Sequence, residues 1–171
     1  IVHTSWWMGL GSPYEAIRQA WMDEFKAVIK LSSQLGTHYV NTHSHSDGMF
    51  LRSDKYKNLV LGSFVKSLKE SVKYAKQHGI LIVFENAAER PEITKLKDFK
   101  YIVDRVPGLK VHFDIGHAFA NGGINHVEDF ILAFRNKIEH IHIHDNHGKQ
   151  DEHLPLGKGL INFSRVAELL K

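Results

Sequence analysis

Histidine and acidic side chains end five apolar runs in this 171-residue sequence, at His3, His43, Glu85, Asp114 and His142. Imidazole nitrogen and carboxylate oxygen together suit Zn²⁺ or Mn²⁺, with Co²⁺ and Mg²⁺ as further candidates. Taken singly, each residue has a common structural explanation, such as shaping a turn or making an ion pair. Their repetition at five successive run ends is harder to explain, because packing favours apolar residues there. We therefore expect one buried site for a divalent metal.

Further donors lie close behind these runs. His117 follows the fourth run, and Asp151 and His153 follow the fifth. His144 lies two residues beyond His142, so the sequence leaves open which of the two is a ligand. Ordinary structural roles are expected for His45, His78, His112, His126 and His147.

The elements that must position these residues are short β-like runs alternating with helical patterns. The predicted strands are Ile1–His3, Thr37–His43, Ile80–Glu85, Leu109–Asp114 and His140–His144. The predicted helices are Tyr14–Leu35, Leu59–Ala75, Ile93–Val106, Val127–Arg135 and Ser164–Leu170. This alternation indicates βαβ units and a parallel sheet. The carboxyl ends of parallel strands share one rim, so donors that are distant in sequence are expected to converge there.

Composition narrows the class of protein. The length suits a single domain over residues 1–171, and a hydrophobic fraction of 43% is enough to build a core. No run of about 18 apolar residues predicts a membrane span, and the first residues do not resemble a signal peptide. The absence of cysteine excludes thiolate ligands and fits a cytoplasmic location. A net charge of +3 is compatible with nucleic acid but does not argue for it.

Four segments, in this order, resemble the xylose-isomerase-like barrels, which include sugar isomerases, epimerases and the endonuclease IV group of DNA-repair enzymes. The segments are Phe84-Glu85-Asn86, Phe113–Phe119, His142–Asn146 and Asp151–Gly159. The resemblance implies an α/β fold, a TIM-type (β/α) barrel. This chain would hold about five βα units, strands three to seven of eight, and so be truncated at both ends. The eighth strand of such barrels brings a further Glu ligand, whose source here stays open, as does association into a homo-oligomer.

The resemblance also implies roles for individual residues. Glu85, Asp114 and His142 match the metal ligands shared by the superfamily. In the endonuclease branch, the additional ligands of a multi-zinc cluster would be His3, His43, His117, Asp151 and His153. In the sugar branch, Glu85 and His117 would be catalytic, and contacts to substrate are expected from His3, His43, His117 and Lys149.

Three functions are open at this point. The first is a metal-dependent isomerase or epimerase that moves a proton through an enediolate of a small sugar, sugar phosphate or related polyhydroxy compound. The second is a zinc phosphodiesterase that acts at abasic sites in DNA, and the third is a non-catalytic metal-binding fragment. The resemblance implies a longer loop at this place in endonuclease members, so the short loop from His142 to Asp151 favours the sugar branch. The lack of basic, aromatic-interleaved surface loops, which would be needed to hold DNA, favours it as well.

Overall fold

The computed structural model describes residues 1–88 and 92–171, in which five parallel strands alternate with helices. The strands are β1 Val2–His3, β2 Tyr39–Thr42, β3 Leu81–Glu85, β4 Lys110–Asp114 and β5 Ile138–His142. The helices are α1 Glu15–Gln34, α2 Asp54–Gln77, α3 Leu96–Arg105, α4 Ile115–Phe134 and α5 Phe163–Leu169, with a 3₁₀ turn at Phe50–Arg52. The strands follow one another in the sheet in chain order, and every neighbouring pair is parallel. The predicted parallel sheet is thus confirmed.

Alternation along each strand separates the apolar core from the polar face of the sheet. In β4, Phe113 points towards the helices and stacks on Phe130 of α4, with ring centroids 4.8 Å apart. Its neighbours His112 and Asp114 point to the opposite face, because successive side chains of a strand alternate. Burying an aromatic ring of this size contributes about 1.5–3 kcal/mol. The core between sheet and helices therefore fixes which side chains face the site.

The register of the sheet brings the strand ends level with one another. β3 and β4 pair Glu85 with His112, and β4 and β5 pair Asp114 with His142. β1 ends at His3, beside β2. The carboxyl ends of all five strands consequently form one polar rim, as the sequence predicted.

Helix α4 begins much earlier than predicted. It begins at Ile115, directly after β4, rather than at Val127. Asp114 caps it by accepting the backbone N–H of His117 at 2.8 Å. Non-helical backbone at Gly122 and Gly123 marks a kink, with φ of 65° at Gly123. These glycines obscured the helical pattern in the sequence, because glycine disfavours helix.

Other predicted boundaries were wrong by two to five residues, among them the start of α3, which is Leu96 instead of Ile93. Helix α2 begins at Asp54 instead of Leu59. Strand β5 covers Ile138–His142 instead of His140–His144, and its pairing with β4 shifts register between Val111 and His112. His144 therefore lies beyond the strand rather than within it. Among the described helices, none combines the length and apolar character needed to cross a membrane.

Candidate metal centre

A cavity of about 380 Å³ lies at the polar rim of the sheet. All eight predicted metal ligands line it, although three of them come from loops or from α4 rather than from strand ends. The lining residues are His3, Trp6, His43, Glu85, Ala88, Glu92, Asp114, His117, His142, Asp151 and His153. Donor atoms in and beside this cavity form three converging sets.

The first donor group consists of His3, His43 and Glu85. The Nε2 atoms of the two imidazoles lie 3.2 Å apart, and they lie 3.2 Å and 3.1 Å from Glu85 Oε2. Each ring donates from Nδ1 to an oxygen that can only accept, the carbonyl of Thr4 at 2.8 Å or the carboxylate of Glu92 at 3.0 Å. In the neutral rings the Nε2 lone pairs therefore point at the same space as the carboxylate.

The central donor group consists of Glu85, Asp114 and His142. His142 Nδ1 lies 3.3 Å from Glu85 Oε1 and 3.3 Å from Asp114 Oδ2. His117 also lies near both carboxylates. However, its Nδ1 donates to the carbonyl of Asn86 at 2.7 Å, so this nitrogen is not free to bind an ion.

The third donor group consists of His117, His144, Asp151 and His153. The Nε2 atoms of His117 and His153 each lie 3.1 Å from Asp151 Oδ2. His144 Nε2 lies 3.4 Å from Asp151 Oδ1 and 3.0 Å from Asp114 Oδ1. Gly116 makes room for the His144 ring, because a Cβ at this position would lie 2.0 Å from its Cε1.

Two buried carboxylate oxygens at the centre lack a hydrogen-bond partner among the described residues, Asp114 Oδ2 and Asp151 Oδ1. Each of them lies within 3.4 Å of an imidazole nitrogen without forming a hydrogen bond, so it is open to a cation. A tetrahedral ion with ligand bonds of about 2.0–2.2 Å places its ligand atoms about 3.3–3.6 Å apart. The separations in all three groups are close to this spacing, so the residues fit divalent metals with nitrogen and oxygen ligands.

Strong charge pairing accompanies this geometry. Burial alone would lower the pKa of His43, but hydrogen bonds to Glu85 and Glu92 outweigh it and raise the pKa to about 10. Contacts with Asp114 and Glu85 raise the pKa of His142 to about 9. Burial alone would raise the pKa of Glu85, but contacts with imidazoles, first of all His142, hold it well below its usual range. The carboxylates are therefore negative at neutral pH and are paired with positive charge.

Asn86 forms hydrogen bonds with two of the donor residues, Asp114 and His117. Its side chain donates to the carbonyl of Asp114 at 2.9 Å and accepts the Asp114 backbone N–H at 2.8 Å. Its own carbonyl accepts from His117. Asn41 of β2 likewise donates to Glu85 Oε2. These contacts orient the donor side chains in the same way as outer partners orient the ligands of known metal sites.

A family model described as "xylose isomerase-like TIM barrel" matches residues 1–171. The chain belongs to this family. Its five parallel strands with alternating helices are accordingly part of a TIM-type barrel. The predicted resemblance and fold class are thereby confirmed.

Relatives within the xylose isomerase-like family carry two kinds of name. An uncharacterised protein of Methanocaldococcus jannaschii is 33% identical over 96% of this chain and 62% of its own length. The "Probable endonuclease 4" of Aquifex aeolicus is 27% identical over 100% of this chain and 65% of its own length. This chain therefore spans less than two thirds of the length of these relatives.

The fold of this chain is also similar to solved structures, among them an epimerase-like protein and a zinc-bound protein. A D-tagatose 3-epimerase-like protein superposes with a TM-score of 0.85 and 29% identity, covering 99% of this chain and 64% of that protein. The IolI protein, solved with a bound zinc atom, superposes with a TM-score of 0.72 and 22% identity, covering 91% of this chain and 57% of that protein. The second similarity concerns the fold alone.

Several side chains differ from their expected places. His144, left open in the sequence, joins the third donor group beside Asp151. His112, expected to be ordinary, is fully buried with Nδ1 3.8 Å from Glu85 Oε2. Lys149 is exposed and is not among the described residues lining the cavity, so its role in substrate binding stays a prediction. Glu92 was not predicted, because it lies seven residues beyond Glu85 in a polar segment with no predicted strand end beside it.

Proposed function

We propose that this chain carries a multinuclear divalent-metal centre that hydrolyses a phosphate ester. The observation that supports it is the arrangement of three carboxylates between the donor groups. Glu85 presents Oε2 to the first group and Oε1 to the central group. Asp114 and Asp151 likewise turn their two oxygens towards different imidazoles. Carboxylates placed in this way are suited to bridge neighbouring ions.

One ion alone leaves much of this arrangement unused. An ion in the central group would take Glu85, Asp114 and His142. The converging Nε2 atoms of His3 and His43, and those of His117 and His153, would then face no cation. Chemistry on a single ion would use these imidazoles at most for contacts to substrate, whereas multi-metal hydrolysis of phosphate esters uses such side chains as ligands. The geometry therefore favours the phosphodiesterase hypothesis over the sugar branch that the sequence favoured.

The chain's own residues hold and orient the centre. Divalent ions bound there would supply positive charge against phosphate oxygens and activate water at neutral pH. Glu85 and Asp114 form the buried side of the cavity, where solvent is excluded, since both are at most 1% exposed. His3 and His153 stand on the open side, with side chains 40% and 62% exposed, where a substrate can approach. Glu92 fixes the ring of His43 by accepting from its Nδ1.

The identity of the ester is inferred from the relatives. Similarity to the "Probable endonuclease 4" of Aquifex aeolicus runs over the whole chain, which favours a phosphodiester of DNA. Within that class, the strand beside an abasic site is the substrate we propose for this centre.

The experiment uses the full 171-residue chain loaded with Zn²⁺ or Mn²⁺. Its substrates are bis(p-nitrophenyl) phosphate and a duplex oligonucleotide with one abasic site, with the intact duplex for comparison. We expect metal-dependent cleavage of the abasic strand. Cleavage should be lost in His153→Ala and retained in Asp104→Asn, a surface carboxylate of α3 paired with Lys100. Failure of fully loaded protein to cleave either phosphodiester would contradict the proposal.

A second candidate is a sugar isomerase or epimerase, favoured by the 29% identity and TM-score of 0.85 to the D-tagatose 3-epimerase-like protein. In this function Glu85 moves the proton between carbon and solvent, and His117 orients a substrate oxygen. Incubation of candidate ketoses in deuterated water tests it. Exchange of a substrate C–H that is lost in Glu85→Gln would favour this function over phosphate ester hydrolysis.

A further inference from the structure

Asp145 is a buried carboxylate next to the metal centre that does not line its cavity. Its side chain accepts four backbone N–H groups, those of Asn146 at 2.9 Å, Gly157 at 2.9 Å, Gly159 at 2.9 Å and Ile161 at 3.1 Å. Three of these donors lie 12 to 16 residues further along the chain. The Asp145 side chain thus binds residues 157–161, which follow Asp151 and His153 in the same loop.

The backbone of Asp145 also holds this loop. Its N–H donates to the carbonyl of Leu154 at 2.8 Å, and its carbonyl accepts the N–H of Leu154 at 2.9 Å. Leu154 directly follows His153, and Asp145 directly follows His144. This pairing brings together two imidazoles of the third donor group, whose rings stack with centroids 4.0 Å apart.

His153 has an uncommon backbone conformation. With φ of 50°, it is the one non-glycine residue with positive φ in residues 1–88 and 92–171. Such a conformation costs free energy in a residue with a side chain and persists only when surrounding contacts enforce it. The bonds that begin at the next residue, Leu154, are contacts of this kind.

The loop wraps closely around the carboxylate. A Cβ at Gly159 would lie 2.4 Å from Asp145 Oδ1 and 2.4 Å from the carbonyl oxygen of Asn146. Only a residue without a side chain allows this approach, so the Asp145 carboxylate and the glycine form one packed unit.

We propose that Asp145 is a positioning residue for the third donor group. Its carboxylate collects the backbone N–H groups of residues 157–161 and keeps the loop in the form that directs His153 and Asp151 to their shared ion. This inference rests on the proposed multinuclear centre. It assigns to Asp145 a role in the affinity of one particular ion, beyond the stability of the fold.

The test compares Zn²⁺ affinities in the full chain by titration against a chelator, together with the thermal stability of each metal-free protein. The variants are Asp145→Asn, His153→Ala, the double variant and the surface control Asp104→Asn. Asp145→Asn keeps the size of the side chain but replaces an accepting oxygen with an amide that donates, so two of the four N–H groups lose their acceptor.

We expect wild type to bind more than one ion, and His153→Ala to identify the ion of the third group by weakening it. Asp145→Asn should weaken that same ion at least tenfold and leave the others within about twofold, and the double variant should weaken it no further than His153→Ala. The inference is overturned if Asp145→Asn binds every ion as Asp104→Asn does, or weakens all ions equally in step with lost stability. If wild type binds a single ion, the proposed function itself fails, and this inference fails with it.

Discussion

Strand-end donors and loop donors of the same centre are held in different ways. Glu85 and Asp114 end neighbouring strands and are at most 1% exposed, so the hydrogen-bond register of the sheet fixes them. Asp151 and His153 lie in a loop, and the His153 side chain is 62% exposed. In the account proposed above, Asp145 keeps this loop in place through its hydrogen bonds with Leu154 and Gly159. The strand-end donors are thus positioned by the sheet, whereas the loop donors are positioned by local hydrogen bonds around Asp145.

The largest effect that separates the two regions is expected at Glu85. Glu85→Gln removes the negative charge shared by the first and central groups and leaves the third group intact. Loss of an outer partner costs about 10–100-fold in metal affinity or activity, so loss of a ligand should cost more than about 100-fold in turnover. The rate of phosphodiester cleavage and the metal content per chain measure it. Activity above a tenth of wild type, with full metal content, would show that Glu85 is not a ligand.

A smaller effect is expected at Glu92, which touches the first group only through His43. Glu92→Gln keeps an acceptor for His43 Nδ1 but loses the charge, so affinity for the ion of the first group should fall about 10–100-fold. Glu128→Gln, which removes a surface partner of Arg165, is the matched control. Equal weakening of the ion that His153→Ala affects would mean that the two regions are not independent.

The smallest effect is the change in metal affinity per pH unit, which arises because protons and metal ions compete for the same histidine nitrogens. In the metal-free protein the pKa values of His142 and His43, about 9 and 10, lie above the value of about 6.5 for an unfolded chain. These protonated pairs stabilise the metal-free fold fully below pH about 6.5, and their contribution is lost as pH rises through 9 to 10.

Metal binding must displace these protons, so the sign for metal affinity is the reverse. Affinity should rise about tenfold per pH unit for each proton displaced until the pH passes the pKa of that ligand, about 9 for His142 and about 10 for His43, and then level off. Thermal melting of loaded and metal-free protein across this range measures it. A difference in melting temperature that shrinks as pH rises would contradict the assignment of these histidines as ligands.

The strand positions and their donors were predictable from the sequence because apolar runs and their polar ends are local patterns. Helix α4 was not, since it follows β4 without a loop and contains Gly116, Gly122 and Gly123. The register shift that moves β5 and leaves His144 beyond the strand depends on the pairing of β5 with β4. The local sequence of β5 contains no information about this pairing.

Long-range contacts made by loop residues could not be predicted from the sequence either. Glu92 reaches His43 from 49 residues away, and Asp145 reaches Ile161 across 16. Both contacts are made by common acidic residues in polar segments, which by composition resemble any solvated loop. Only the fold reveals which of these carboxylates are buried and what they hold.

The most direct measurement is the number and position of ions in crystals of the chain grown with saturating Zn²⁺, read from anomalous scattering at the zinc edge. We expect more than one ion per chain, with Glu85 contacting two of them and one ion held by His117, Asp151 and His153. A single ion bound only by Glu85, Asp114 and His142, with the other imidazoles free of metal, would contradict the multinuclear centre.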